Sequence, residues 1–391
     1  MPVLSGRVGT FTDSVIRRMT RINNQYDSIN LSQGFPDFDP PQQLLDALAK
    51  TAYNGPHQYA VTFGAQNFRE ALAKKTSPAL HHEVDPNTEV CVTCGGTEAM
   101  MAAMMTICNP GDKVMIFSPF YENYGADAIL SGAEPIYIPL VPPTYEFDIS
   151  LIEKGFAEGA KALILCNPSN PCGKVFTRYE LELIAGLAKK YDVYVITDEV
   201  YEHIVYAPHT HTYFAALPGM WERTISCSSL SKTYSVTGWR LGYVIAPAPI
   251  IERAKKVHDF LTVGAAAPLQ EAIIPGLRFG QDYYDDLLAK YTHKRDLFCK
   301  GLDALGLVHN VPQGAYYVMM DISEFGYDSD LKFCEELAAK VGVGAVPGSS
   351  FFREPVNNLI RFHFAKKDET LNDALNRLEA LRSKIPAREA R

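Results

Sequence analysis

The sequence predicts an α/β protein: a large domain with a mostly parallel, seven-stranded sheet sandwiched by helices, plus a smaller α+β domain. Three observations predict it. Short β-branched apolar runs alternate with helical stretches from about residue 88 to residue 246, the pattern of parallel strands with helices on both faces. Beyond about residue 290 strand-like runs sit beside amphipathic helices instead. The chain's 391 residues also exceed what one small core organises. These readings divide it into an N-terminal arm that joins the small domain (1–45), a large ligand-binding domain (46–290) and a C-terminal small domain (291–391).

In order along the chain, the first 45 residues hold Gln33-Gly34-Phe35-Pro36-Asp37-Phe38-Asp39-Pro40-Pro41. Three prolines forbid helix there, so the stretch is extended and should follow the surface or a domain cleft. Candidate strands follow at 90–94, 114–117, 135–140, 162–166, 193–197, 224–228 and 239–246, with helical patterns such as 97–107 and 178–191 between most of them. Only a short loop separates the last two, so 239–246 is expected antiparallel to its predecessor. Met100, Met101, Met104 and Met105 form a stripe on the 97–107 helix, read as packed core before binding surface. The C-terminal part offers strands at 315–321 and 359–364 and helices at 329–341 and 369–383, the last with Leu371, Leu375, Leu378 and Leu381 on one face. The charged tail, 386–391, is expected to fray.

Composition excludes several classes. Net charge is -8, against a nucleic-acid surface. No run approaches the roughly 20 apolar residues that span a bilayer, and the start of the chain has no signal-peptide segment, so a cytoplasmic location is the default. Cys91 and Cys94 form the one Cys-x-x-Cys, but on a strand their side chains face opposite sides, which favours buried free thiols over a redox pair. His209 and His211 lack a third ligand, and with His81-His82 they read as polar loops rather than a metal site.

Four motifs fall just after the carboxyl end of a candidate strand, the edge where open α/β sheets bind ligands. Cys94-Gly95-Gly96-Thr97-Glu98 is strand, glycines, then helix start. Helix N–H groups there suit an anion, although a tight turn capped by Thr97 fits equally. Asn167-Pro168-Ser169-Asn170-Pro171 is either an ordinary turn or a loop presenting Asn170 to a phenolate oxygen. Thr197-Asp198-Glu199-Val200-Tyr201 places an acid at the end of a buried strand. Asp198 either caps a helix or pairs with a pyridine nitrogen, with Tyr201 in reach of the same ring's hydroxyl.

The fourth motif is the most informative. Ser229-Leu230-Ser231-Lys232-Thr233-Tyr234 lies between two apolar runs and leads to Gly238-Trp239-Arg240-Leu241-Gly242-Tyr243. Partial desolvation there lowers the pKa of an amine and frees the nucleophilic form, which a Schiff-base lysine needs. Arg240, Ser229 and Ser231 supply a cation and hydroxyls for a phosphate ester. An aldehyde beside a phosphate ester points to pyridoxal phosphate.

At these residues the chain resembles the class I/II pyridoxal-phosphate-dependent aminotransferases of fold type I, over nearly its whole length. Asn30-Leu31-Ser32-Gln33-Gly34-Phe35-Pro36 and Lys256-Val257-His258 are most similar to the kynurenine and methionine aminotransferase branch. The resemblance implies that Lys232 is the covalent link and later the proton shuttle, and that Gly96, Thr97, Ser229 and Arg240 hold the phosphate. It places Tyr121 on the ring face, Asn170 and Tyr201 at the ring oxygen, and Asp198 at the ring nitrogen. Arg361, which alone reads equally as a satisfied strand arginine, would grip the substrate carboxylate, with the Gly34 backbone beside it. Tyr59 would reach the phosphate of a neighbouring subunit, which implies a homodimer with shared active sites.

The implied reaction is ping-pong transfer of an amino group from a methionine-like, aromatic or kynurenine-like amino acid to a 2-oxo acid such as 2-oxoglutarate. Thr262-Val263-Gly264-Ala265-Ala266 carries no second arginine, which weakens an aspartate-specific reading and leaves room for a bulky apolar side chain. It also lacks the aromatic and histidine of animal kynurenine enzymes. Aspartate or LL-diaminopimelate aminotransferases remain alternatives, as does a carbon–sulfur β-lyase on the same scaffold. A ligand-sensing regulator would need a DNA-binding module, and no basic domain precedes residue 30.

Overall fold

A computed structural model describes residues 2–6, 9 and 14–388. The chain begins with α1 (Val15–Gln25), β1 (Ile29–Asn30), α2 (Gln42–Asn54) and α3 (Gln66–Leu80). The alternating unit follows: β2 (Val90–Thr93), α4 (Gly96–Ile107), β3 (Lys113–Ser118), α5 (Asn123–Leu130), β4 (Glu134–Pro139), α6 (Ile149–Ala157), β5 (Ala160–Cys166), α7 (Arg178–Tyr191), β6 (Tyr194–Asp198), β7 (Thr224–Ser229) and β8 (Gly242–Ile245). Three helices lead out of it: α8 (Ala248–Thr262), α9 (Ala267–Leu277) and α10 (Gln281–Ala304). The remainder is β9 (Tyr317–Asp321), α11 (Asp330–Glu336), β10 (Val343–Gly344), β11 (Val346–Pro347), β12 (Leu359–His363), α12 (Asp368–Leu378) and α13 (Leu381–Lys384).

One sheet holds seven strands in the order β2-β8-β7-β6-β5-β3-β4. Every residue of β2, β7 and β8 is buried, as expected for strands covered on both faces. β8 is antiparallel to both β2 and β7, and the other neighbours pair in parallel. The carboxyl ends of the other six strands therefore share one rim, and β8 starts from it. The two edges are managed differently. β4 is partly exposed and carries Pro135 and Pro139, which an edge strand tolerates. β2 is covered, and Val92 N–H donates outward to Phe63 O at 3.0 Å, which blocks the free edge. Helix α7 starts at a full capping box between Thr177 and Glu180.

A second core gathers residues of β9, α10, α11, β12 and α12 around Phe298, Tyr316 and Phe362. Its strands form a three-stranded antiparallel sheet, β11-β12-β9, and a parallel pair in which β1 joins β10. The N-terminal segment is thus tied by backbone hydrogen bonds to the C-terminal part.

The structure corrects several expectations. The strand expected over 239–246 begins at Gly242; residues Thr237–Trp239 form a 3-10 turn and Arg240 is left-handed at φ 54°. An apolar run alone does not separate turn from strand. The helix cap at the glycine motif is Gly95, not Thr97. Asp198 caps no helix, since a turn follows β6. The helix expected over 369–383 breaks after Leu378 and resumes as α13, and the one over 329–341 passes into a π-helical turn at Leu337–Val341. Met100 and Met104 are core, whereas Met105 is exposed. Of the tail expected to fray, Arg388 is docked: its N–H donates to Phe325 O at 3.1 Å and its Nη2 to Glu336 Oε1 at 2.7 Å. Residues 389–391 lie outside the described residues.

Candidate active site

The common rim explains why residues far apart in sequence meet. Thr93 and Ser229 flank Gly242 on adjacent strands. That rung brings the Gly95-Gly96 turn, Ser229 and Arg240 together. A Cβ at Gly95 would collide with the Arg240 guanidinium, and one at Gly242 would collide with the Gly95-Gly96 backbone. Glycine at 95 also takes φ 85°, open to few other residues. Ser229 lies beside Gly96, where an added Cβ would sit 3.6 Å from its own Cβ. The cradle so formed combines the N-terminus of a 12-residue helix, a hydroxyl and a guanidinium, a donor set that suits a phosphate ester. Thr97 and Arg240 are exposed at its mouth.

Deeper in the cleft, Asp198 ends β6. Its Oδ2 accepts from Tyr124 OH at 2.6 Å and its Oδ1 from Val200 N–H at 3.3 Å. Burial raises its pKa; those hydrogen bonds and the Lys232 charge pull the other way. A desolvated acid facing the cleft suits a protonated ring nitrogen. Tyr121 leads into α5 and packs edge-on against Tyr124, with centroids 5.8 Å apart.

Lys232 follows β7. Its residue keeps some exposure at the cleft, but the amine lies deep, and burial pulls its pKa down to about 8 against the raising effect of Asp198. Arg240 and Arg361 depress it further. Its one hydrogen bond among the described residues is long, 3.4 Å to the Gly34 carbonyl, which also accepts from Tyr316 OH at 3.0 Å.

On the opposite wall, Arg361 of β12 is 1% exposed. Its Nη1 donates to Asn170 Oδ1 at 2.8 Å and its Nη2 to Ser32 O at 2.7 Å, and Nε has no hydrogen-bond partner among the described residues. It forms no ion pair with a carboxylate among those residues either. A buried cation without a protein counter-charge suits an anionic ligand. Tyr201 meets this wall through Tyr317, hydroxyl to hydroxyl at 2.8 Å.

The structure therefore brings Gly34, Gly96, Tyr121, Asn170, Asp198, Tyr201, Ser229, Lys232, Arg240 and Arg361 to one cleft. It does not bring Tyr59 there: that side chain is 87% exposed and makes no contact with those residues among the described ones. Sequence reasoning missed Tyr124, Ser32, Tyr316 and Tyr317. Tyr316-Tyr317 heads the strand expected at 315–321, and two adjacent tyrosines there were the available signal.

A desolvated amine and a buried acid at the carboxyl rim of a mostly parallel sheet, faced by an arginine with no carboxylate partner among the described residues, define an α/β enzyme site for an anionic substrate. The chain belongs to the class I and II aminotransferases: residues 26–378 match the family model "Aminotransferase class I and II". It is 36% identical to a methionine aminotransferase of Escherichia coli over 369 residues, covering 94% of this chain and 96% of that protein. It is likewise 36% identical to mouse kynurenine–oxoglutarate transaminase 3 over 399 residues, 94% of this chain and 88% of that one. Among solved structures, N-succinyldiaminopimelate aminotransferase of Mycobacterium tuberculosis superposes with a TM-score of 0.93 at 34% identity, covering 97% of this chain and all (100%) of that one. The architecture is that of the fold-type I aminotransferases.

Proposed function

We propose that this aminotransferase uses pyridoxal 5'-phosphate held on Lys232, and moves the amino group of an L-amino acid with an apolar or aromatic side chain to a 2-oxo acid such as 2-oxoglutarate. The observation that carries the reading is the meeting of Lys232, Asp198 and Arg361 in one cleft beside a glycine-lined anion cradle. The residues fit the cofactor. Gly96, Thr97, Ser229 and Arg240 would hold its phosphate, Tyr121 its ring face, Asn170 and Tyr201 its ring oxygen, and Asp198 its ring nitrogen. When bound, that cofactor supplies an aldehyde for the amine and a protonated ring that withdraws the electron pair of the broken Cα–H bond.

The protein's own groups do the rest. Arg361 binds the substrate carboxylate through a planar fork and fixes the orientation of Cα. Lys232 Nζ takes the α-proton; with a pKa near 8, much of it is neutral in mildly alkaline solution. Asp198, shielded from water, keeps a proton on the ring nitrogen by its charge. Arg361 is backed by apolar packing: the buried Phe351 lies 4.7 Å from the guanidinium and packs with Ile16, Val346 and Tyr121. Residues 262–266 supply no second cation for a side-chain carboxylate, which favours methionine-like, aromatic and kynurenine-like donors over dicarboxylates.

The working unit in this reading is a homodimer with shared sites. Tyr59 and Phe260 are 87% and 90% exposed, and Val61, Leu261 and Val263 are exposed beside them. The two segments are neighbours, because His258 Nε2 meets Thr62 O at 2.8 Å. An apolar patch of this kind supports burial against a second copy, with Tyr59 entering the other site. The eight cysteines are all free thiols, in keeping with a reducing, cytoplasmic setting. Among the described residues no helix is long and apolar enough to cross a membrane.

A panel of amino donors assayed with 2-oxoglutarate tests the reading. Methionine, aromatic amino acids or kynurenine should consume the acceptor fastest. Fastest turnover of aspartate or LL-diaminopimelate would overturn the apolar-substrate assignment. Release of pyruvate and ammonia from cystathionine without an added oxo acid would make the enzyme a β-lyase instead.

A further inference from the structure

We propose that Tyr317 is a positioning residue that sets how strongly Tyr201 donates its hydrogen bond and at the same time supports Arg361, so that one side chain couples the group at the cofactor's ring oxygen to the group at the substrate carboxylate. The inference rests on the cofactor reading above. Tyr317 opens β9 and is buried. Its hydroxyl is 2.8 Å from that of Tyr201. Its ring lies 4.3 Å under the Arg361 guanidinium and edge-on to the Tyr201 ring at 5.8 Å. Gly34 makes room for it: a Cβ at position 34 would collide with the Tyr317 oxygen.

The direction of the hydroxyl pair follows from counting protons. A phenol has one proton to give and lone pairs to accept. If Tyr201 gives its proton to the cofactor's ring oxygen, the bond between the tyrosines must be donated by Tyr317. A hydroxyl that accepts a hydrogen bond is polarised into a better donor. Burial raises the Tyr317 pKa, and the Arg361 charge over its ring offsets part of that rise, which favours donation by Tyr317. The order of donation is then Tyr317 to Tyr201 to the ring oxygen. A donor at that oxygen competes with the proton shared between it and the Lys232 nitrogen. Weakening the donor raises the pH at which the bound chromophore loses its proton.

The test is a spectrophotometric pH titration of protein loaded with pyridoxal phosphate, compared for wild type, Tyr317→Phe, Tyr201→Phe and the double variant. Tyr317→Phe removes one oxygen and should raise the midpoint by roughly half to one unit. Tyr201→Phe should raise it further, and the double variant should titrate like Tyr201→Phe alone. For the amino donor, Tyr317→Phe should leave KM within about twofold of wild type, since the ring under Arg361 remains, whereas Tyr317→Leu should raise KM by roughly tenfold. An unchanged midpoint in Tyr317→Phe, or a shift that persists when Tyr201 is already Phe, would overturn the donation order. Equal KM values for the Phe and Leu variants would overturn the support of Arg361. Wild-type protein that takes up no cofactor on Lys232 defeats the reading of the site itself, a result distinct from normal uptake with an unchanged Tyr317→Phe titration.

Discussion

The two ends of the cleft are built in opposite ways. At the Arg361 end, Arg361, Asn170, Ser32, Tyr201 and Tyr317 are all buried and joined within one chain by hydrogen bonds and by the Arg361 guanidinium over the Tyr317 ring. At the glycine-cradle end, Thr97, Arg240 and Tyr59 are all exposed. One end is held in place by buried contacts; the other is an open cradle of helix N–H groups, a hydroxyl and a guanidinium. Preorganisation lowers the entropic cost of orienting the small substrate. In the proposed reading, the open cradle end leaves a path for the larger cofactor to enter.

Perturbations should separate these ends. The largest effect lies between them: Lys232→Ala should cut transamination by roughly a thousandfold or more, because the link and the proton carrier are lost together. Steady-state turnover checks it, with circular dichroism to confirm the fold. At the preorganised end, Arg361→Lys replaces a planar fork with a point charge and leaves Asn170 Oδ1 and Ser32 O with altered partners. A loss of roughly a hundredfold in kcat/KM, with cofactor affinity nearly unchanged, is expected.

Lys232 also affects stability. Its folded pKa, about 8, lies below the ordinary lysine value of 10.5, so the unfolded chain binds the extra proton between those limits. The stability this group permits is therefore present above pH 10.5 and is lost as pH falls through 8. Cofactor-free Lys232→Met should exceed wild type by up to about 3 kcal/mol at pH 7, and the gap should narrow as pH rises beyond 8. Urea unfolding at several pH values measures this; a constant gap would contradict it. The smallest effect belongs to the open end. Tyr59→Phe should weaken cofactor binding by about five- to tenfold, the worth of one hydrogen bond, without raising the donor KM. Equilibrium titration of cofactor-free protein is the check.

Much of the large sheet was legible because its strands are short, β-branched and bounded by turn residues. Helix α7 falls where its pattern placed it, at Arg178–Tyr191. Asp198 and Lys232 stood out since a charge beside a buried run demands a reason. What was illegible is contact across sequence distance. Nothing local in Asn170 foretells its bond to Arg361, 191 positions away, nor does Tyr124 announce that it serves Asp198. Trp239 misled because an apolar residue in a tight turn has the same hydropathy as one in a strand. Arg240 nevertheless reached the site, as the left-handed residue just before β8 starts from the common rim.

The proposed chemistry needs a covalent bond between pyridoxal phosphate and Lys232. Incubation with that cofactor, borohydride reduction, proteolysis and mass spectrometry detect it. A reduced pyridoxyl adduct is expected on the peptide carrying Lys232 and none in Lys232→Ala. An unmodified Lys232 peptide, or an adduct that forms equally on another lysine, would contradict it.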